Sequence, residues 1–258
     1  MEVLRQFLLK LMDNAYFKLI NFLQNIDKEV DFNLFEILDN DKKDIKLSID
    51  IQINNKIKSF LELNYTYPIL SEESIFSKSY LLIQEKCWIL DPLDGSLNLS
   101  RKIPISCISI ALWNGEFVDF ACIYDFNRKE VFVADKNKSL VNNVPCQVSS
   151  VSEPSSAVLC TGFPSWRSYD DKSLIHFLKK IQQWKKIRAI GSAAISLTWV
   201  ARGWIDACIE EDIRIWDVIA GLALVKSAGG QVFIKPNDKP NFVTAIATNE
   251  NFLIKSLL

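Results

Sequence analysis

Hydrophobic residues near the start of the chain recur at the three- and four-residue spacing of one helical face. This periodicity predicts an amphipathic helix over residues 2–24. Lysine and arginine do not crowd its polar face, so packing against a core is favoured over lying on a membrane surface. A second helix is predicted over residues 51–63, ending before Tyr67-Pro68 because the residue preceding a proline disfavours helical torsions. The positions that define the first face are Leu4, Phe7, Leu8, Leu11, Ala15, Leu19, Phe22 and Leu23.

From Cys87 onward, short apolar runs separated by turn signals replace the helical periodicity. Residues 87–90 and 105–113 are predicted to form buried strands. Asn114-Gly115 is typical of a hairpin turn, and further strands are predicted over residues 117–124 and 130–134. Consecutive strands joined by such turns indicate an antiparallel meander.

In the second half of the chain, strand and helix patterns alternate. A helix over residues 193–202 is predicted to end at Gly203, and one over residues 216–228 at Gly229-Gly230, where a left-handed turn costs glycine least. No repeat, low-complexity tract or long linker separates the halves. We therefore predict one domain over residues 1–258, with halves at 1–150 and 151–258. The remaining predicted elements are strands at 158–161, 232–234 and 244–247 and a helix at 173–183.

The composition is that of an ordinary globular protein and argues against several function classes. Hydrophobic residues make up 49% of the 258 positions and charged residues 24%, and no apolar run approaches the ~20 residues that span a bilayer. The 30 basic and 31 acidic residues give a net charge of −1, which offers no basic field for nucleic acid or an anionic membrane. Because the N-terminus lacks the features of a secretory signal, we expect a cytoplasmic protein.

Cysteine and histidine usage narrows the chemistry further. The six cysteines are scattered, mostly through apolar stretches, without a C-x-x-C pair, and we expect them to be reduced core residues. His176, the single histidine, lies between Ile175 and Phe177 in a predicted helix and is expected to be a surface or packing residue. The chain therefore lacks the arrangement of histidine and cysteine residues that histidine-nucleophile, zinc-dependent and Ser-His-Asp mechanisms need.

The string Asp91-Pro92-Leu93-Asp94-Gly95-Ser96 follows a predicted buried strand, where α/β proteins gather reactive groups. Pro92 stiffens the turn, so both aspartates can converge on hard cations that prefer oxygen ligands. Gly95 lets the backbone approach a ligand closely, and a helix starting here would direct N–H groups at a phosphate. The alternative is an aspartate-rich turn with a capping role.

Other acidic residues strengthen the metal hypothesis without deciding it. Glu72-Glu73 lies shortly upstream of the strand, and Asp217 stands at the start of the glycine-terminated helix. The glutamates could equally be a solvated pair, and Asp217 could simply favour the helix dipole. Asp91 and Asp217 are 126 positions apart, and no periodicity brings them together.

These motifs resemble the inositol monophosphatase superfamily of Mg²⁺-dependent, lithium-sensitive phosphatases. The signature D-P-[IL]-D-G-[ST]-x-N is matched by residues 91–98, and W-D-x-x-A-G followed by A-G-G by residues 216–221 and 228–230. The likeness extends over about residues 40–250. It implies an α/β (α+β) fold, a layered αβαβα sandwich of the sugar-phosphatase type, and a homodimer. Further matches lie at Glu72-Glu73, Ile103-Pro104, residues 142–149 and residues 191–194.

The resemblance also implies roles for individual residues. Asp50, Glu72 and Ser96 are implied as catalytic, with Asp50 paired to the Ser96 hydroxyl so that both orient a directly attacking water and no phosphoenzyme forms. The N–H groups of Gly95 and Ser96 would grip the phosphate, and Ala193 and Glu210 would face the sugar or polyol. Two or three Mg²⁺ ions would be held by Glu72, Asp91, Asp94, Asp217 and the backbone carbonyl of Leu93.

The sequence departs from the family pattern at Ser71, Ser96 and Asn143, none of which removes a ligand. Asparagine tolerates the left-handed conformation, so the turn at Asn143 can survive without the usual glycine. The family lysine upstream of Asp44 has no clear counterpart, since Lys42 and Lys43 are out of register.

Three functions follow as expectations. The first is hydrolysis of inositol monophosphate or a related sugar or polyol phosphate, favoured by Asn98 where the nucleotidase branch typically has K-E-F. The second is a 3′(2′),5′-bisphosphate nucleotidase acting on 3′-phosphoadenosine 5′-phosphate. The third is a metal-bound structural or regulatory partner without turnover. It is disfavoured because every ligand that the family pattern expects is present, and because crowded carboxylates repel each other unless a cation joins them.

Overall fold

The structure is a computed structural model that describes residues 14–40, 45–73, 85–163 and 170–252. The helices are α1 (Asn14–Gln24), α2 (Ser48–Asn64), α3 (Ser96–Ser100), α4 (Asp171–Ile181), α5 (Ala193–Ala201) and α6 (Ile215–Ser227). The strands are β1 (Ile37–Asn40), β2 (Ile45–Leu47), β3 (Ile69–Ser71), β4 (Cys87–Asp94), β5 (Cys107–Trp113), β6 (Val118–Asp125), β7 (Glu130–Ala134), β8 (Ser139–Val141), β9 (Val144–Pro145), β10 (Val158–Thr161), β11 (Lys186–Arg188), β12 (Ala207–Arg214), β13 (Gln231–Pro236) and β14 (Phe242–Thr248).

The larger sheet of the described residues has seven strands in the order β3-β4-β5-β6-β7-β8-β9. Strand β3 is parallel to β4, and every other neighbouring pair is antiparallel. The predicted meander is therefore confirmed. The asparagine pair at the β8–β9 turn adopts positive φ angles, 45° at Asn142 and 69° at Asn143, so the turn forms without glycine.

The second sheet has five strands in the order β11-β10-β12-β14-β13. Strand β10 is parallel to both neighbours, whereas β14 is antiparallel to β12 and β13. The register between β12 and β14 shifts between Glu210 and Ile213, which bends β12 where its polar residues begin.

Three hydrophobic cores lie between five layers of secondary structure. Helices α1 and α2 pack on one face of the larger sheet, and α5 and α6 fill the space between the two sheets. The third core covers the outer face of the smaller sheet and includes Trp184 after α4. This order, helix, sheet, helix, sheet, helix, confirms the layered αβαβα sandwich.

Close packing of α5 on α6 positions two parts of the site. A Cβ atom on Gly221 of α6 would lie 2.4 Å from Cβ of Leu197 in α5, so only glycine permits this approach. The N-terminal ends of both helices are thereby held at the same cleft, where Ser192 and Asp217 lie.

Several element boundaries differ from the predictions. Strand β4 continues beyond residue 90 through Asp94, with a register shift between Asp91 and Asp94. Helix α2 begins at Ser48 instead of residue 51, and residues 2–13 of the first predicted helix lie outside the described residues. Strand β12 was not predicted, because Glu210, Glu211 and Asp212 interrupt its apolar pattern. The short strands β1, β2, β3, β8, β9 and β11 were also not predicted.

Within the described ranges, we find no helix both long and apolar enough to cross a membrane.

Candidate active site

In the predicted motif Asp91–Ser96, the chain leaves strand β4 and enters helix α3 at Gly95. Gly95 has a φ of +93°, and a Cβ atom there would lie 2.7 Å from the carbonyl oxygen of Ile105. Both the left-handed backbone and the close approach therefore require glycine. The turn brings Asp94 at the end of β4 and Ser96 at the start of α3 to the same cleft.

Asp91 is the most buried carboxylate of the site, with 1% of its surface exposed. Its Oδ1 accepts a hydrogen bond from the Leu93 N–H at 2.9 Å. Burial raises the pKa of Asp91 well above its ordinary value, and the charges of Glu72, Asp217 and Asp94 raise it further. The other three carboxylates predicted to bind metal are thus close enough to Asp91 to repel its charge.

Three separate elements bring these carboxylates together. Glu72 follows β3, and its N–H donates to the Leu90 carbonyl of β4 at 3.1 Å. Asp217 lies in the first turn of α6. The carbonyl of the preceding Trp216 accepts a hydrogen bond from the Ser109 hydroxyl at 3.2 Å, which ties α6 to β5 beside β4.

Asp94 is held by the N-terminus of α5. Its Oδ2 accepts hydrogen bonds from the Ser192 hydroxyl at 2.8 Å and from the Ala194 N–H at 2.6 Å. Burial raises the pKa of Asp94 to about 6, and these two hydrogen bonds oppose the rise. Both hydrogen bonds fall on the same carboxylate oxygen, and together they fix the orientation of the Asp94 side chain.

Asp50 and Ser96 form the predicted pair. Asp50 is 5% exposed in the first turn of α2, where its Oδ2 accepts from the Leu47 N–H at 2.6 Å. The Ser96 hydroxyl lies 3.0 Å from Asp50 Oδ1 and 2.9 Å from the Leu93 carbonyl oxygen. Asp50 is therefore fixed at one oxygen by its own helix and meets Ser96 with the other.

The smaller sheet and α5 supply further residues of the cleft. Glu210, on β12, is half-buried and accepts a hydrogen bond from the Gly162 N–H. Burial raises the pKa of Glu210 to about 8, and the charge of Asp94 adds to the rise. Ala193, the first residue of α5, lines the same cleft.

All ten predicted site residues line one cleft of about 910 Å³. Its floor is the β4–α3 motif, and its walls come from the start of α2, the β3 end, α5, β12 and the start of α6. The structure thus places together residues that the sequence spreads over more than half the chain. They are Asp50, Glu72, Asp91, Leu93, Asp94, Gly95, Ser96, Ala193, Glu210 and Asp217.

Three further residues of the cleft had no role assigned from the sequence. Ser192 binds Asp94, Lys46 pairs with Glu73, and Arg214 lies over the Phe242 ring at 4.1 Å. The hydrogen bond to Glu73, together with the charges of Glu73, Asp50 and Glu72, raises the pKa of Lys46. No local pattern marks Lys46 or Arg214, whereas the helix-capping position of Ser192 before α5 was a usable signal. Lys42 and Lys43 lie outside the described residues.

The cleft fits a divalent cation in donor chemistry and in charge. Its donors are carboxylate oxygens and a main-chain carbonyl, which hard cations prefer. The mutual repulsion that raises the pKa of Asp91 is relieved when a cation joins the carboxylates. Among the residues that the structure describes, no group of three or more histidine, cysteine, aspartate or glutamate side chains is already arranged to hold a metal ion.

Comparison with protein families gives a match over nearly the whole chain. Residues 5–250 match the profile of the inositol monophosphatase family. The Nus factor SuhB of Xylella fastidiosa is 40% identical over 177 residues, which are 66% of this chain and 62% of that protein. The inositol-1-monophosphatase of Synechocystis is 36% identical over 152 residues, 57% of this chain and 52% of that protein. The chain therefore spans less than two thirds of the length of either relative.

Comparison with solved structures gives the same assignment. The IMPase of Thermotoga maritima superposes with a TM-score of 0.76 and 25% sequence identity, and the alignment covers 93% of each chain.

Proposed function

The chain belongs to the inositol monophosphatase family, and on that premise we propose that it hydrolyses small phosphate monoesters with Mg²⁺ as its cofactor. The proposed substrate is inositol monophosphate or a related sugar or polyol phosphate. The observation that carries the proposal is the convergence of Glu72, Asp94 and Asp217 on the buried carboxylate of Asp91, in the cleft that also contains the Gly95 turn.

The proposed ligands of two or three Mg²⁺ ions share hard oxygen donors that line the cleft. When bound, the ions supply Lewis-acid charge that acidifies water and offsets the negative charge on the leaving oxygen. The ligands are Glu72, Asp91, Asp94 and Asp217, with the main-chain carbonyl of Leu93.

The proposed role of Asp50 and Ser96 is to orient the attacking water. With its proton donated to Asp50 or to the Leu93 carbonyl, the Ser96 oxygen presents lone pairs into the cleft and accepts a hydrogen bond from water. Water then attacks phosphorus directly, and the P–O bond to the sugar or polyol breaks as the new O–P bond forms. The leaving oxygen ends with the proton that the water loses, and Ser96 forms no covalent intermediate. Glu72, at the same cleft, is proposed to act in catalysis as well as in metal binding.

The remaining contacts bind the substrate. Gly95 and Ser96 lie at the N-terminal end of α3, where no carbonyl of the helix can accept a hydrogen bond from their N–H groups. These two N–H groups are proposed to bind the phosphate. Ala193 and Glu210, which line the same cleft, are proposed to face the sugar or polyol. Neutral Glu210 can donate a hydrogen bond to a substrate hydroxyl, and ionised Glu210 can accept one.

A substrate panel tests this proposal. Phosphate release is measured with inositol 1-phosphate, a sugar phosphate, a polyol phosphate and 3′-phosphoadenosine 5′-phosphate, each with Mg²⁺ and with EDTA. We expect Mg²⁺-dependent turnover that is fastest on the inositol, sugar or polyol esters and absent in Asp91→Asn. A dominant rate on the nucleotide would support the nucleotidase alternative, and no turnover on any ester would refute the proposal.

The remaining family traits belong to the same proposal. We propose a cytoplasmic homodimer that lithium inhibits. Sedimentation measures the oligomeric state, and a LiCl titration of phosphate release measures the inhibition. An enzyme that turns over normally at high LiCl concentration would contradict the lithium part alone.

A transcription role is a second candidate, favoured by the 40% identity with a relative named Nus factor SuhB. Binding of purified chain to RNA polymerase tests it, with Asp91→Asn as the informative variant. Binding that survives in this variant would separate such a role from phosphatase turnover, and no binding by either protein would exclude it.

A further inference from the structure

The side chain of Asn98, in α3, binds main-chain carbonyls from two distant segments. It is 8% exposed, and its Nδ2 lies 2.8 Å from the Ile105 oxygen, 2.8 Å from the Ile190 oxygen and 3.2 Å from the Gly191 oxygen. An amide nitrogen carries two protons. One therefore serves Ile105, and the other is shared between Ile190 and Gly191, which follow Asn98 by 92 and 93 positions.

The surroundings of Asn98 are shaped closely to its amide. Gly191 has a φ of +73°, and a Cβ atom there would lie 3.1 Å from both Nδ2 and Oδ1 of Asn98. The Ile105 carbonyl that accepts from Asn98 also lies against Gly95. Asn98 does not itself line the cleft, so this fit serves the position of main-chain segments and not a direct contact with substrate.

The segment that Asn98 holds leads directly to the donors on Asp94. Gly191 precedes Ser192, whose hydroxyl donates to Asp94 Oδ2, and α5 then supplies the Ala194 N–H to the same oxygen. Groups that hydrogen-bond a metal ligand fix its orientation, and their removal typically lowers metal affinity or activity by about 10–100-fold.

We propose that Asn98 is a positioning residue that acts through Ser192 on Asp94. It holds the Ile190–Gly191 carbonyls so that the Ser192 hydroxyl and the Ala194 N–H both reach one oxygen of Asp94 and turn the other toward the cation. This inference rests on the proposed function, because it takes Asp94 to be a Mg²⁺ ligand. It goes beyond that function by giving the Asn98 amide a part in cation binding without contact with ion or substrate.

A double-mutant cycle tests the link. Asn98→Ala, Ser192→Ala and the double variant are compared with the wild type by calorimetric titration with Mg²⁺ alone, and by kcat and KM. We expect each single substitution to weaken Mg²⁺ binding by about 10-fold. The double variant should bind Mg²⁺ no more weakly than the worse single variant, because both substitutions remove the same support of Asp94.

Asn249 offers a matched control for the loss of a buried asparagine. It is 0% exposed, and its Nδ2 donates to the Ser149 hydroxyl and the Val151 carbonyl, each at 2.8 Å, outside the cleft. Asn249→Ala should lower the melting temperature as Asn98→Ala does but leave Mg²⁺ affinity unchanged. Equal loss of Mg²⁺ affinity in both variants would show a general effect of destabilisation and overturn the inference.

Two other results would overturn it. One is unchanged Mg²⁺ affinity in folded Asn98→Ala, and the other is a double variant whose losses add. If Asn98→Ala does not fold, Asn98→Ser leaves a smaller gap and should weaken Mg²⁺ binding in the same direction; unchanged affinity there also refutes the inference. Failure of the proposed function is distinguishable, since the wild type would then bind no Mg²⁺ and release no phosphate.

Discussion

The Ser96 hydroxyl lies 3.0 Å from Asp50 Oδ1, which joins residues 46 positions apart. The contact connects the first turn of α2 to the first residue of α3, and the Leu93 carbonyl offers the same proton a second acceptor at 2.9 Å. The hydroxyl group is thereby held between the buried carboxylate of Asp50 and the main chain of the aspartate motif, the position from which we propose that it orients a water molecule.

Replacement of Ser96 tests this arrangement. Ser96→Ala should lower kcat by about 100-fold, because water loses one of its orienting partners. Ser100→Ala is the matched control: Ser100 lies on the same helix, and its hydroxyl donates only locally, to the Leu97 carbonyl at 2.8 Å. Steady-state kinetics on the preferred ester make the comparison. Equal activity of both variants would remove Ser96 from the mechanism.

Neutralisation of Asp91 should separate stability from activity. The pKa of Asp91 is raised in the folded protein, so its ionised form destabilises the metal-free fold. Asp91→Asn should therefore raise the melting temperature at pH 8 in EDTA, abolish turnover, and lose most of the gain in melting temperature that Mg²⁺ gives the wild type. Asp171→Asn, at an exposed helix start, is the control and should behave as wild type. An Asp91→Asn protein still stabilised by Mg²⁺ to the wild-type extent would contradict the ligand assignment.

The raised pKa of Glu210 predicts a pH-dependent contribution to stability. Its folded value of about 8 exceeds the ordinary value of 4.5. Between these two pH values the folded state binds more protons than the unfolded state, so stability falls as pH rises. Glu210→Gln should match the wild type near pH 4.5 and melt at a higher temperature at pH 9, both in EDTA.

Exposed Glu153 provides the control for this measurement. Glu153→Gln should leave the pH dependence of the melting temperature unchanged. A wild-type pH profile that persists in Glu210→Gln would show that another group carries the effect.

Two glycines with nearly the same positive φ separate the cost of backbone strain from the cost of steric contact. Gly95 has a φ of +93° and Gly229 a φ of +92°, but only Gly95 faces an obstacle, the Ile105 carbonyl, whereas a Cβ atom on Gly229 meets nothing within 4 Å. Gly229→Ala should cost about 1 kcal/mol from the left-handed backbone alone. Gly95→Ala should cost about 1–3 kcal/mol more, because the main chain must move, and should also lower kcat. Denaturant unfolding gives both values; equal costs would show that the contact at Gly95 relaxes freely.

Elements with a strong local pattern were predictable from the sequence. Strand β7 has the predicted bounds, and α5 and α6 differ from prediction by a residue or two, because apolar runs and a following glycine mark their ends locally. Strand β12 could not be predicted from the sequence, because its polar half lines the cleft. A strand that carries Glu210, Glu211 and Asp212 into a binding site loses the alternation by which strands are recognised.

The sequence by itself determined that the segment Asp91–Ser96 forms a turn carrying two aspartates, and that this turn requires the glycine at position 95. It also determined which faces of the helices and strands are apolar and pack between the layers. Periodicity and turn formation depend on residues that are neighbours along the chain, so both can be recognised in the sequence. Only the tertiary structure decided that Asp217 lies near Asp91, that Asp50 is hydrogen-bonded to Ser96 and that Asn98 binds the segment before Ser192. These contacts depend on sheet order and on the packing of α5 against α6, which no local spacing encodes.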